Sequence, residues 1–172
     1  MFIPKGSQIE FRMHYITTGR PESDQSTLKI YTYDHPPGKI LSVGVMSKRG
    51  FTIPAGDPDY HLSDTYHFKE SAKLYAIQPH MHLRGKSMRF IFQYPDGHQK
   101  ILLSIPTYDF HWQRQYFFKT PEIIPAGTTV LVEGAYDNSD GNENNPDPSQ
   151  PVSYGPYGNS EMFTAIFYYT KN

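Results

Sequence analysis

Cysteine is absent from the 172 residues. That one absence removes disulfide frameworks, zinc–thiolate centres and thiol nucleophiles together, and it leaves the compartment open. An excess of either charge is also lacking. Sixteen Lys and Arg against 17 Asp and Glu give a formal net charge of −1, with no basic stripe to hold nucleic acid or an anionic membrane. No apolar run is long enough to span a bilayer. The opening Met1-Phe-Ile-Pro-Lys-Gly6 carries no apolar core of a signal peptide, so the sequence reads as a cytoplasmic chain or as a mature segment of something larger. Stretches with the 3.6-residue period of a helix are missing as well.

What is present points to β-structure. Fifteen per cent of the residues are aromatic, and 15 Pro with 13 Gly punctuate them, the composition of short strands joined by turns. The length fits one domain with a proper core. Residues 9–16 alternate Phe11, Met13 and Tyr15 with Glu10, Arg12 and His14, as a half-buried strand would, with His14 on its polar face. Further strands are expected over 28–33, 40–46, 88–94, 100–105, 108–118, 128–136 and 163–170, with one long strand or a bulged strand pair over 66–78 and loops over 57–63 and 137–158. The hairpin signal is clearest at 88–105, around the turn Pro95-Asp-Gly-His98. The 137–158 segment is almost wholly turn-forming and too polar for a core of its own. A loop of that length in a compact domain is functional or disordered. About ten strands at short spacing imply an all-β fold, an antiparallel β-sandwich of jelly-roll type.

The chemistry centres on His80-Met81-His82, at the end of the run that begins at Leu74. Residues i and i+2 of a strand share a face. Two imidazoles would therefore project side by side from a solvent-facing strand end, as half of a transition-metal site. In a chain with eight histidines the motif also arises by chance, and His35, His61, His67, His98 and His111 read as surface or hydrogen-bonded histidines. Met162 opens the last strand on the face of Thr164, Ile166 and Tyr168, while Phe163, Ala165 and Phe167 form the better core face. Alone it reads as a gap-filling methionine. Beside two imidazoles, its thioether would favour Cu(I) over Zn(II).

The chain resembles the C-terminal domain of the copper type II, ascorbate-dependent monooxygenases, the peptidylglycine α-hydroxylating and dopamine β-monooxygenase family, and most of all its bacterial branch. The segments that carry the resemblance are Met13-His-Tyr15, Thr18-Gly-Arg-Pro-Glu-Ser-Asp-Gln-Ser26, Ile53-Pro-Ala-Gly56 and Pro79-His-Met-His-Leu-Arg-Gly-Lys-Ser-Met88. They continue with Tyr108-Asp-Phe-His-Trp-Gln113, Ile124-Pro-Ala-Gly127, Tyr136-Asp-Asn-Ser139, Asn144-Asn-Pro-Asp-Pro148 and Ser160-Glu-Met162. The resemblance implies two coppers in two sandwich domains. One, held here by His80, His82 and Met162, would bind dioxygen where the substrate C–H bond is cleaved. The other would relay an electron from ascorbate and uses a His-His pair plus one histidine matched by His14. The His-His pair has no counterpart in this sequence. Residues 1–16 then correspond to the last strand of an N-terminal copper domain expected before Met1, and 17–172 to the C-terminal domain.

Two departures bear on substrate. The peptide-amidating members carry an arginine where this chain has Gln78 and a tyrosine where it has Ile166. Without the arginine fork a substrate carboxylate loses its partner, so a glycine-extended peptide is not the expected substrate. Tyr154-Gly155 and Tyr157 lie where bacterial relatives carry a Trp-Gly segment that would line the site. The implied function is copper-dependent hydroxylation of an activated C–H bond in a small molecule, with dioxygen as co-substrate and a secreted or periplasmic location. The rival reading is a jelly-roll binding or assembly module that keeps the scaffold without redox chemistry.

Overall fold

The computed structural model describes residues 3–11, 13, 15, 18–36 and 38–171. Two compact units divide the chain, Met1–Ile40 and Leu41–Asn172. In the first, no strand forms among the described residues, including those of the strands expected over 9–16 and 28–33. Ile9, Phe11, Met13 and Tyr15 are 52%, 57%, 44% and 65% exposed. Alternation specifies a strand only where a neighbouring strand takes up the backbone groups. Local polar contacts serve instead: the Tyr15 hydroxyl donates to Asp24 and the Thr18 hydroxyl to Glu22.

In the second unit ten strands form: β1 Ser42–Lys48, β2 Thr52–Ile53, β3 Tyr60–His67, β4 Ala72–His80, β5 Gly85–Gln93, β6 Gln99–Ile105, β7 Tyr116–Ile124, β8 Thr129–Tyr136, β9 Val152–Ser153 and β10 Phe163–Lys171. Two antiparallel four-stranded sheets, β1-β10-β4-β7 and β3-β8-β5-β6, pack as a sandwich, and β2 pairs with β9 beside them. The core is aromatic. Phe167 on β10 stacks on Tyr66 at 4.7 Å and meets Phe90 edge-on at 6.2 Å, joining the two sheets through ring contacts. Its burial removes a large apolar surface from water, a gain of roughly 1.5–3 kcal/mol.

The hairpin expected around Pro95–His98 forms as β5 and β6. Other boundaries differ. The segment expected as a loop over 57–63 is half strand, because β3 pairs residue for residue with β8 from Tyr60↔Tyr136 onward. The stretch over 66–78, expected as one long strand or a bulged strand pair, is divided between β3 and β4, which lie in different sheets. The aromatic strand expected from 108 begins only at Tyr116. Tyr108 turns inward, and Asp109 accepts from the backbone N–H of His111 and of Trp112 in a local turn. Aromatic residues there serve a turn and a buried contact, so their density does not mark a strand.

Candidate metal centre

The antiparallel pairing of β4 with β10 sets the site. Its last rungs are Ala165↔Pro79 and Thr164↔His80. Past the end of the ladder one segment runs on to His82 and the other back to Met162. His80 closes β4, whereas His82 lies just beyond it in a turn closed by the Gly85 N–H donating to the His82 carbonyl at 3.2 Å. The expected side-by-side projection from one strand is thus replaced by a perpendicular pair. The ring centroids are 5.1 Å apart at an interplanar angle of 82°. Nor is the pair a solvent-facing edge: His82 is only 6% exposed.

Both rings are oriented through the same nitrogen. His80 Nδ1 lies 2.5 Å from Gln113 Oε1, and His82 Nδ1 lies 2.9 Å from the Ser160 carbonyl. Each acceptor calls for an N–H on Nδ1, which leaves the Nε2 lone pair for a ligand. Gln113 is itself fixed, its Nε2 donating to the Phe110 carbonyl at 2.9 Å. Burial lowers the pKa of His80 against the pull of Gln113 upward, with His82 a smaller lowering cause. A neutral ring is the form that binds a metal. Among the described residues no three His, Cys, Asp or Glu side chains form a metal cluster. Met162 is half-buried, and its carbonyl accepts from the Tyr136 hydroxyl at 2.7 Å. The core-face assignment of the last strand holds: Phe163, Ala165 and Phe167 are fully buried.

Residues that the sequence did not single out support this corner. Tyr108 Oη accepts from the Met81 N–H at 3.0 Å and donates to the Met81 carbonyl at 2.8 Å, gripping the residue between the imidazoles. Burial pushes its phenol up to about 12. Gly85 makes room, because a Cβ there would come within 2.7 Å of the Tyr108 ring and 2.9 Å of Met81. Glu161 is fully buried and accepts N–H bonds from His82 and Arg84 at 2.9 and 2.8 Å. Burial pushes its carboxyl up to about 7, opposed by those backbone donors, the Arg84 charge and the Met162 N–H. Arg84, 2% exposed, lies 4.0 Å from that carboxylate and donates Nε–H to Asn138 Oδ1 at 2.9 Å. Asn138 in turn donates to the carbonyls of Pro54 and Gln150. The long polar loop is therefore held to the site by hydrogen bonds, and it adds apolar burial through Val152 on β9, 4% exposed, and Tyr154, packed against the core. The one available signal was a carboxylate placed directly before an apolar strand, which does not by itself tell a buried group from an exposed one.

The remaining candidates lie elsewhere. His14 falls outside the described residues. Gln78 and Ile166 sit opposite each other in the β4–β10 register, two rungs from His80 and Thr164. Gln78 Oε1 accepts from the Tyr168 hydroxyl at 2.7 Å, so its amide is engaged within the sheet face. Tyr154 packs edge-on to Phe51, and Tyr157 is 66% exposed. A depression of about 590 Å³ on the outer face of the other sheet is lined by Ser63, Ser87, Arg89 and Glu133 and by none of the candidate ligands. No known protein-family model matches the chain, and no curated protein matches it. The resemblance to the copper monooxygenases therefore stands on its motifs alone.

Proposed function

We propose that this chain is a copper-binding, dioxygen-activating domain of an ascorbate-dependent monooxygenase, built on a sandwich of jelly-roll type. The observation that carries the reading is the shared orientation of His80 and His82, each tied through Nδ1 to a neutral acceptor with Nε2 left unengaged. The thioether of Met162, the residue before β10, would complete a set of two nitrogens and one sulfur, which suits copper cycling between its two oxidation states. Copper bound there would supply one-electron chemistry with dioxygen at an activated C–H bond.

The chain's own residues hold geometry. Gln113 and the Ser160 carbonyl fix the imidazole tautomers, Tyr108 fixes the peptide between them, and half-burial keeps His80 neutral. The strand face leading to His80 offers Gln78, Ile166 and Tyr168, with no cation among them. That suits a neutral small-molecule substrate better than one bearing a carboxylate. Ascorbate as donor, a partner domain with a His-His pair, His14 as a ligand of that second copper, and a secreted or periplasmic location follow from the same resemblance.

The assembly-module reading has one observation in its favour: Val43, Val45 and Phe117 are 57%, 54% and 71% exposed on the β1-β10-β4-β7 sheet. Metal analysis separates the two readings. After exposure to equimolar copper and zinc under reducing conditions, the purified chain is expected to retain one copper and no zinc. A chain that retains neither metal, or prefers zinc, contradicts the proposal.

A further inference from the structure

We infer that Glu161 is a positioning residue, whose buried carboxylate sets the separation of the His82 and Met162 backbones by binding N–H groups on both. The inference rests on the copper reading above and concerns how that site is held together. The β4–β10 ladder ends at Thr164↔His80, so interstrand rungs stop short of both outer ligands. Where the next rung would fall, the His82 N–H donates instead to Glu161 Oε2 at 2.9 Å. The same oxygen takes the Met162 N–H at 3.3 Å, and Oε1 takes the Arg84 N–H at 2.8 Å. One side chain thus replaces the missing rung and ties the segment of the imidazoles to the segment of the thioether.

A carboxylate is required, since three N–H donors converge on it from two directions. The glutamine amide has one acceptor oxygen, and its NH₂ would face a backbone N–H on the other side. Charge-assisted bonds of this kind are about twice as strong as neutral ones. Arg84, 4.0 Å away and anchored on Asn138 and the Asn159 carbonyl, supplies the countercharge in the interior. The three hydrogen bonds do not depend on a metal, so the device is pre-organised before any ion arrives.

The test compares wild type with Glu161→Gln and Glu161→Asp, the latter keeping the charge on a shorter arm. In a folded Glu161→Gln chain, Cu(II) affinity should stay within about twofold while Cu(I) affinity falls roughly tenfold or more, the size of an outer-partner effect. X-ray absorption of the reduced protein should lose its sulfur scatterer, and Glu161→Asp should show the same losses. A folded variant with wild-type Cu(I) affinity and an intact sulfur signal overturns the inference. Wild type that binds no copper strikes the copper reading instead. A copper-free measurement covers the case in which neither variant folds. In wild type the amides of His82 and Arg84 should exchange with solvent far more slowly than exposed loop amides, and exchange at loop rates overturns the inference.

Discussion

Two kinds of histidine occur in this molecule. His61 and His98 each meet an aspartate two residues earlier, at 3.0 and 2.5 Å, with side chains 71% and 57% exposed. His80 and His82 meet a neutral amide oxygen and a backbone carbonyl, at 2.5 and 2.9 Å, in a corner where His82 is 6% exposed. A carboxylate partner holds each surface ring in a local hydrogen bond open to water. A neutral acceptor in a dry corner commits one nitrogen of the ring and leaves the other free. Under the copper reading, partner chemistry would separate a surface histidine from a ligand more sharply than the histidine's spacing does.

The largest effect should come from removing either ring of the pair. His80→Ala or His82→Ala is expected to abolish copper retention by elemental analysis. His82→Ala should also cost about 1 kcal/mol in denaturant unfolding, because it strips the half-buried Ser160 carbonyl of its donor. Copper retained at one per chain in both variants would break the comparison.

Tyr108 gives a pH test of the same corner without metal. Its phenol is pushed up to about 12 by burial, so the folded chain holds a proton that the unfolded chain releases near 10. Its contribution is thus complete below pH 10 and is lost as pH rises toward 12, by roughly 3 kcal/mol. The stability difference between wild type and Tyr108→Phe, followed by urea unfolding, should shrink over that window. A pH-independent difference would mean that the phenol is not held as described.

How much of this corner could be read in advance depended on the type of contact. The closeness of His80 and His82 was legible because it acts over neighbouring positions, although the shared strand face expected for them gave way to a turn. The core face of β10 and the β5–β6 hairpin were legible for the same reason. Glu161, Arg84, Asn138, Gln113 and Tyr108 were not. Each acts across the fold, as Glu161 does on the His82 N–H and Gln113 on His80, and side-chain identity alone does not reveal such partners. The strand expected over 9–16 failed on the same principle in reverse. Its alternation is real, but among the described residues no neighbouring strand pairs with it.

Smaller effects sharpen the contrast. Met162→Ala should keep Cu(II) and weaken Cu(I) by roughly 1–3 kcal/mol, the scale of losing a soft or outer ligand effect, read by competition with a Cu(I) chelator. Unchanged Cu(I) affinity would make Met162 a packing residue. Smallest of all, His61→Ala and His98→Ala should leave copper stoichiometry and Cu(I) affinity at wild-type values. Loss of copper in either would show that the aspartate-paired histidines are not the bystanders their partners make them.

The central claim is the proposed copper site of two imidazoles and one thioether at the end of β4. X-ray absorption of the copper-loaded, reduced wild-type chain tests it most directly. The account predicts two nitrogen neighbours and one sulfur neighbour around each copper; a shell of nitrogen and oxygen alone, or the absence of bound copper, would contradict it.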